Sequence, residues 1–141
     1  MARYEIMEIK PAAADLHALR QAVGFMRTDI ETVEKGLEGS RHSVCAFACG
    51  SLVGFARVVG DGAAAFYIQD VIVHPDWQGQ GVGRAVMEKV MAYLEANARP
   101  GAVVGLMCAK GKDGFYEKFG FWARPNERYG PGMMQFWKMS V

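Results

Sequence analysis

A closely spaced set of glycines is the stretch of this sequence whose residue types and spacing point most directly to chemistry. Residues 78–83 read Gln-Gly-Gln-Gly-Val-Gly, and a β-branched run at residues 68–73 ends shortly before Pro75. A pattern with helical period follows, so the glycines lie at a strand-to-helix turn. Glycines let the backbone approach a ligand, and the free amides that open a helix carry the positive end of its dipole. The turn is therefore predicted to bind an anion, most simply a phosphate group.

The elements before this turn are predicted in the order strand, two helices and three antiparallel strands. Hydrophobic periodicity and turn residues predict strands at 4–9, 43–48 and 52–59 and helices at 11–23 and 30–37. The tight-turn residues Cys49-Gly50-Ser51 make the second and third of these strands a hairpin, and a further strand ends at His74.

The elements after the turn begin with a long amphipathic helix, because Val82, Val86, Val90 and Leu94 repeat every four residues. The apolar run at 102–107 then suits a buried strand, parallel to the one before the helix, since a strand-helix-strand crossover produces that arrangement. A short helix at 111–119, a strand starting at Phe121-Trp122 and a last strand at 133–139 complete the prediction. The chain thus reads as one α+β domain, residues 1–141, with a mixed, mostly antiparallel sheet of six to seven strands and about four helices in three layers.

Composition excludes several classes of function. The chain has 141 residues, 51% of them hydrophobic, and a net charge of +1, so it lacks the strong field that attracts nucleic acid or an anionic membrane. No apolar run reaches the roughly 20 residues of a membrane span, and the first residues lack the apolar core of a signal peptide. A cytoplasmic protein is predicted.

The three cysteines predict neither a disulfide framework nor a metal site. Cys45 and Cys49 fall in one predicted strand, roughly 13 Å apart at about 3.3 Å per residue, too far to bridge. Cys108 ends a different predicted strand, and no Cys/His cluster has metal-ligand spacing. Three buried side chains are therefore expected.

The residues around the glycine turn resemble a known signature. The run from Asp70 to Gly83 is similar to that of the GCN5-related N-acetyltransferases, in which Gln or Arg, two residues, Gly, one residue and Gly or Ala bind the pyrophosphate of acetyl-coenzyme A. Gln78, Gly81 and Gly83 fill those positions. A second feature of that family, an aromatic-Tyr pair followed by Gly-Phe, is matched about 30 residues downstream by Phe115-Tyr116 and Gly120-Phe121.

The resemblance implies a fold, a cofactor and a backbone donor. In that family the strand before the glycine turn splays from its parallel neighbour, and the pantetheine arm of acetyl-coenzyme A lies in the gap. A bulge near Asp70 or Val71 would direct an amide at the thioester carbonyl, where one donor stabilises the developing oxyanion by roughly 3 kcal/mol. The cofactor-binding residues implied are Val71, Ile72, Val73, Gln78, Gly79, Gln80, Gly81, Val82, Gly83, Arg84 and Tyr116.

The catalytic residues implied are Tyr116 and Asp70. By resemblance, the Tyr116 hydroxyl protonates the departing coenzyme thiolate, a role typically worth about 10²- to 10⁴-fold in rate; its alternative role is that of a packed aromatic. Asp70 is the best single candidate for the general base, with His74 or a water chain as alternatives, because Gln69 stands where many relatives carry Glu. Asp70 as a structural acceptor is an equal alternative. Cys108 raises an acyl-cysteine route, but without an adjacent base direct transfer is preferred.

The acceptor predicted from the resemblance is a primary amine of a small molecule. Residues of the early helices and of the loop before the last strand are expected to bind it, namely Phe25, Met26, Arg27, Glu127, Tyr129 and Met133. A peptide or protein amine, and an acyl-coenzyme A sensor without turnover, are the alternatives. A dinucleotide-binding fold fits less well, because three antiparallel strands precede the glycine turn. Relatives often pair through sheet edges, so a homodimer is compatible with the resemblance.

Overall fold

The computed structural model describes residues 3–139, which form two compact units, one ending at Met107 and the other beginning at Cys108. The first unit contains β1 (Glu5–Met7), α1 (Ala13–Ala22), α2 (Ile30–Glu38), β2 (His42–Ala48), β3 (Ser51–Gly60), β4 (Ala65–Val73), a 3₁₀ turn (Pro75–Trp77), α3 (Val82–Asn97) and β5 (Val103–Leu106). The second unit contains one helix, α4 (Asp113–Glu117). The element order predicted from the sequence is confirmed as far as α4.

The sheet of the first unit has five strands in the order β1-β2-β3-β4-β5. The first four strands pair antiparallel, and β5 pairs parallel to β4 after the α3 crossover. The mixed sheet with one parallel pair is therefore confirmed. The β2–β3 hairpin turns at Cys49 and Gly50, which both have positive φ, the backbone combination that a two-residue turn between twisted strands requires.

Helices cover both faces of this sheet. On one face, Leu16 and Leu19 of α1 and Val33 and Leu37 of α2 form a buried cluster with Phe55 and other strand residues. The opposite face receives the buried stripe of α3, made of Val82, Val86, Met87, Val90 and Leu94. This is the three-layer arrangement that the amphipathic periodicity of the helices predicts.

Close packing of α3 depends on Gly54 in β3. A Cβ at Gly54 would lie 2.7 Å from Cγ1 of Val82 and 3.1 Å from Cβ of Ala46. Since Val82 is the first residue of α3 and is 1% exposed, the absent side chain of Gly54 lets the helix begin directly on the sheet. The start of α3, and with it the glycine turn, is thus fixed by a close contact.

The prediction of six to seven strands was wrong in number, since five strands form within residues 3–139. Residues 121–139, which the sequence analysis assigned partly to two strands, contain neither helix nor strand. Turns built on side chains hold this segment instead: Asn126 Oδ1 accepts from the amides of Arg128 and Tyr129, and Arg124 donates to the Gly130 carbonyl at 2.7 Å. Apolar composition alone predicted the last strand, but Met133 is 87% exposed and Trp137 is 72% exposed.

The cysteine prediction was wrong for two of the three residues. Cys45 is fully buried in β2, and burial raises the pKa of its thiol to about 12. Cys49 lies in the hairpin turn rather than in the strand and is exposed, and Cys108 is exposed two residues beyond the end of β5. All three are free thiols.

Within residues 3–139, no helix combines the length and the apolar character needed to cross a bilayer. In the same residues, no three or more His, Cys, Asp or Glu side chains cluster as metal ligands.

Candidate functional site

A bulge in β4 is the feature around which the first unit's candidate site is built. Phe55 of β3 pairs with Ile72 of β4, and Arg57 pairs with Gln69. Between these two pairs, β3 has one residue and β4 has two. One extra residue therefore lies on β4 at Asp70-Val71, and Asp70 has a φ of 57°. The bulge predicted near Asp70 or Val71 is confirmed. Asp and Asn tolerate this left-handed backbone better than other non-glycine residues, which suits Asp70 to the position.

The parallel pairing of β4 and β5 stops just before the bulge. Its register runs from Ala65 opposite Val103 to Ile68 opposite Leu106, where β5 ends. Strand β4 continues to Val73, so within the first unit as described its residues from Gln69 onward have no strand partner on the β5 side. The parallel pair is thereby confirmed, and within the first unit the main-chain groups of β4 beyond Ile68 have no strand partner on that side.

The Asp70 side chain is buried between two arginines. Asp70 is 6% exposed. Its Oδ1 accepts a hydrogen bond from Nη1 of Arg20, and its Oδ2 accepts one from Nε of Arg57 at 3.0 Å. Arg20 also donates through Nη2 to the Met26 carbonyl at 2.9 Å. A buried charge requires such partners, because leaving it unpaired is costly. Both carboxylate oxygens of Asp70 are thus engaged, which favours its role as a structural acceptor.

A small cavity adjoins this cluster on the α1–α2 face of the sheet. Its volume is about 130 Å³. The lining residues are Leu16, Arg20, Thr28, Thr32, Val33, Arg57, Gln69 and Asp70. Two β4 residues at the bulge, Gln69 and Asp70, therefore form one wall, so the cavity lies directly beside the strand that the resemblance assigns to the cofactor.

The glycine turn has the geometry of an open backbone site. Gly79 and Gly81 have φ values of 77° and 84°, and a Cβ added at Gly79 would meet no atom within 4 Å. Gly81 is the N-cap of α3, and neither a side-chain cap nor an acidic residue in the first turn competes for the helix amides. Gln78 ties the turn to β4, because its Nε2 donates to the Val73 carbonyl at 3.0 Å. The fit to an anionic group such as a diphosphate is good.

The other predicted cofactor residues have side chains that pack in the core or lie at the surface. The side chains of Ile72 and Val82 belong to the core, each with 2% exposure or less. Gln80 donates to the Asp76 carbonyl at 3.3 Å, and the exposed Arg84 pairs with Glu88 at 3.1 Å, one helical turn further on. Val71 belongs to the bulge, Val73 is the last residue of β4, and Gly83 lies in the first turn of α3.

His74 shapes the turn after β4. Its Nδ1 accepts from the Asp76 amide at 3.1 Å, so that it caps the 3₁₀ turn, and its own amide donates to the Val53 carbonyl. The side chain is therefore engaged in holding the chain between the strand and the glycines.

Tyr116, in the second unit, is a buried phenol. It is 9% exposed and packs edge-on against Phe115 at 5.0 Å and Phe121 at 6.3 Å between ring centroids. Burial, with a smaller contribution from Cys108, raises the pKa of Tyr116 to about 12. The hydroxyl therefore keeps its proton throughout the neutral range.

Cys108, in the same unit, is a protonated thiol. Its single S–H can donate to the Ala109 carbonyl oxygen, 3.2 Å from Sγ, or to Oδ1 of Asp113, 3.8 Å from Sγ. Desolvation, followed by the nearby Asp113 carboxylate, raises the pKa of this thiol above its ordinary value. A nucleophilic cysteine needs the opposite shift, so the environment disfavours the acyl-cysteine route.

The predicted acceptor residues divide between the two units. Phe25 and Met26 adjoin the arginine cluster, because the Arg20 guanidinium lies 5.5 Å from the centroid of the Phe25 ring and donates to the Met26 carbonyl. Arg27 is exposed. Three residues lie in the second unit, namely Glu127, Tyr129 and Met133; Tyr129 stacks on Trp122 at 5.2 Å between centroids.

Sequence reasoning missed Arg20, Arg57 and Thr28 as site residues. Arg57 carried a usable signal, since it is a charged residue in the mostly apolar strand β3, two positions from the buried Phe55 and thus on the same face. Arg20 carried a weaker one, because a basic residue in the last turn of a helix is ordinarily explained by the helix dipole.

Comparison with known proteins identifies the family. The model of a family described as an acetyltransferase (GNAT) domain matches residues 38–123, which include β2 to β5, the glycine turn and α4. The chain belongs to the GNAT family. A Staphylococcus aureus protein of unknown function, described as a probable acetyltransferase, shares 32% identity with a TM-score of 0.88, covering 96% of this chain and 100% of that one. A GNAT family acetyltransferase from Streptococcus pneumoniae shares 28% identity with a TM-score of 0.74, covering 99% of this chain and 100% of that one.

Longer relatives in the GNAT family come from plants and cyanobacteria. Rice serotonin N-acetyltransferase 2, a chloroplastic protein, is 34% identical over 119 residues, which are 79% of this chain and 58% of the relative. An uncharacterized N-acetyltransferase of Prochlorococcus marinus is 33% identical over 115 residues, 79% of this chain and 63% of the relative. The chain thus spans about three fifths of the length of these two relatives. Since the rice protein is chloroplastic, a cytoplasmic location stays a prediction.

Proposed function

We propose that this chain transfers the acetyl group of acetyl-coenzyme A directly to a primary amine of a small molecule in a ternary complex. The observation that supports this most is the position of the β4 bulge. It comes directly after the last β4–β5 pair and forms one wall of the small cavity, and beyond it the main-chain groups of Val71 to Val73 have no strand partner on the β5 side within the first unit. A single strand, β4, can therefore contact both the coenzyme and the acceptor amine.

Coenzyme binding is assigned to backbone groups of β4 and of the glycine turn. The amides at Gly79–Val82 would hold the diphosphate, helped by the dipole of the 16-residue helix α3. The main chain of Val71 to Val73 would hold the pantetheine arm, as a strand edge holds an extended ligand. When bound, the coenzyme supplies an acetyl thioester.

Tyr116 is proposed as the proton donor to the departing thiolate. A pKa of about 12 keeps its hydroxyl protonated, so that at neutral pH it is always available as a donor. Asp70 is proposed to hold the bulge in shape, since both of its oxygens accept from guanidinium groups. Removal of the ammonium proton is then assigned to water in the cavity beside the bulge, with Asp70 as the base left as the alternative to be tested.

The deciding experiment measures free thiol released from acetyl-coenzyme A with arylalkylamines, polyamines, amino sugars and peptides. Serotonin belongs in the panel because a 34% identical relative is named for it. We expect turnover of small amines, a fall of about 10²- to 10⁴-fold in kcat for Tyr116→Phe, and little change in coenzyme affinity. Unchanged turnover in Tyr116→Phe would refute the role of Tyr116. Turnover of peptides alone would favour a protein acetyltransferase, and coenzyme binding without any turnover would favour a sensor.

The glycine turn is tested separately by Gly81→Asp. The substitution brings a carboxylate toward the phosphates and places a Cβ at a φ of 84°, so coenzyme affinity should fall by at least tenfold. Glu95→Asp, at an exposed position near the C-terminal end of α3, serves as a control in a residue away from the turn. Equal coenzyme affinity in Gly81→Asp and wild type would contradict the assignment.

A further inference from the structure

The cavity beside the β4 bulge carries an unbalanced positive charge. Among its lining residues are two guanidinium groups, Arg20 and Arg57, and one carboxylate, Asp70. The other lining side chains, Leu16, Thr28, Thr32, Val33 and Gln69, are neutral. One positive charge therefore has no counter-charge in the cavity wall.

This charge is held where water screens it poorly. The side chains of Arg20 and Arg57 are 14% and 16% exposed, respectively. Arg57 donates through Nε to Asp70 and through Nη1 to the Gly36 carbonyl and the Ser40 hydroxyl, at 3.3 and 3.2 Å. Among the described residues its Nη2 donates to no acceptor, so Arg57, one of the residues that line the cavity, retains unused hydrogen-bonding capacity. Partly buried guanidinium groups in this state favour an anionic partner.

Resting on the proposed function, we propose that the cavity is the acceptor subsite and that it selects amines carrying an anionic group, a carboxylate or a phosphate, which pairs with Arg57. The cavity volume of about 130 Å³ suits such a group with a few attached atoms. Since Gln69 and Asp70 form its wall, an amine close to the anionic group would lie at the bulge, beside the strand assigned to the thioester.

Matched acceptor pairs that differ in the anionic group test this selectivity. Tryptamine and tryptophan, and phenethylamine and phenylalanine, form the carboxylate arm; ethanolamine and phosphoethanolamine, and glucosamine and its 6-phosphate, form the phosphate arm. We expect the anionic member of at least one arm to have a kcat/KM about 10- to 100-fold higher, the range that one charged hydrogen-bonded pair supplies. The arm that shows the preference identifies the anion.

Two variants assign the preference to Arg57. Arg57→Met should abolish it, whereas Arg57→Lys should keep part of it, because the charge remains but the planar pair of donors is lost. Lys35→Met removes one positive charge from the exposed face of α2, where Lys35 is 74% exposed, and should leave the preference unchanged. Melting temperature and coenzyme affinity measured on each variant show whether it is folded.

A binding measurement keeps the inference separate from the proposed function. Binding of N-acetylphenylalanine and of N-acetylphenethylamine in the presence of coenzyme A is compared by calorimetry, which requires no turnover. Tighter binding of the carboxylate product that depends on Arg57 supports the inference even if no amine is acetylated. Turnover of amines without an anionic preference, or equal binding of the two products, overturns the inference and leaves acetyl transfer itself untouched.

Discussion

Replacing Asp70 by Asn tests how much the first unit depends on the buried arginine–carboxylate cluster. Asn keeps the size of the side chain and tolerates the φ of 57°, so the bulge itself should persist. The substitution removes the only carboxylate that pairs with Arg20 and Arg57 in the cavity wall. Two partly buried guanidinium groups are then left without a counter-charge.

The expected cost follows from the burial of these groups. Removing one partner of a fully buried ion pair costs about 3–5 kcal/mol. Because the Arg20 and Arg57 side chains are 14% and 16% exposed, water relieves part of that cost, and we expect a loss of about 2–4 kcal/mol in the free energy of unfolding. Urea denaturation followed by circular dichroism measures it.

A double variant shows whether the loss of stability comes from arginines left without a counter-charge. In Asp70→Asn with Arg57→Met, only Arg20 lacks its carboxylate, so the double variant should lose at least about 1 kcal/mol less than the sum of the two single losses. If Asp70→Asn loses less than about 1 kcal/mol of unfolding free energy, or if the losses of the two single variants simply add, then pairing of Asp70 with the two arginines does not stabilise the first unit.

Kinetics of the same variant separate the two roles considered for Asp70. If Asp70 only positions the bulge, Asp70→Asn at a temperature where it is fully folded should lower kcat by less than about tenfold. If Asp70 takes the proton of the amine, kcat should fall about 10²-fold or more. The engaged oxygens of Asp70 lead us to expect the smaller effect.

Three further predictions concern packing, ionisation and thiol chemistry. Gly54→Ala should lower the free energy of unfolding by about 1–3 kcal/mol and weaken coenzyme binding, because its Cβ would lie 2.7 Å from Cγ1 of Val82. Gly105→Ala is the control, since a Cβ at Gly105 would have no atom within 4 Å. Equal stability of the two variants would contradict this packing argument. Burial raises the pKa of Tyr116 to about 12, so the contribution of its protonated phenol to the free energy of unfolding is fully present below pH 10 and is lost as pH rises toward 12. In chemical denaturation across that pH interval, the free energy of unfolding of Tyr116→Phe should fall by up to about 2 kcal/mol less than that of the wild type. Parallel plots of unfolding free energy against pH for the two proteins would contradict the raised pKa. Cys108→Ala should leave kcat within about twofold, since the raised pKa keeps the thiol protonated, and a loss above tenfold would revive the acyl-cysteine route.

The sequence predicted most of the first unit because its signals are local. Glycine spacing, the four-residue repeat in α3 and the hairpin turn at Cys49-Gly50 each depend on neighbouring residues, and each element formed where it was expected. The bulge at Asp70 was predicted from the resemblance to a family, since nothing in the local pattern of β4 marks an extra residue.

What the sequence did not predict depends on contacts between distant residues. Arg20, Arg57 and Asp70 lie 13 to 50 positions apart, and only the packing of α1 and β3 beside β4 brings them together. The missing last strand has a related cause. Residues 133–139 have the composition of a strand, but pairing requires a sheet edge, and within residues 121–139 the described contacts are turns instead.

The bulge links the proposed catalytic strand to acceptor selection through a single extra residue. Residues opposite each other in a sheet face the same side, so Ile68 faces the same side as Val58, and Ile72 faces the same side as Phe55. Phe55 and Val58 are three positions apart on β3 and therefore face opposite sides. The two isoleucines of β4 thus face opposite layers. The extra residue between them therefore moves β4 side chains from the α3 layer to the α1–α2 layer at the point where β5 ends. A carboxylate at that point can reach arginines on α1 and β3, while the adjoining main chain faces the gap. Any change that removes the extra residue, such as deletion of Val71, should for this reason abolish coenzyme binding and acceptor preference together, whereas Arg57→Met should abolish the acceptor preference and leave coenzyme binding in place.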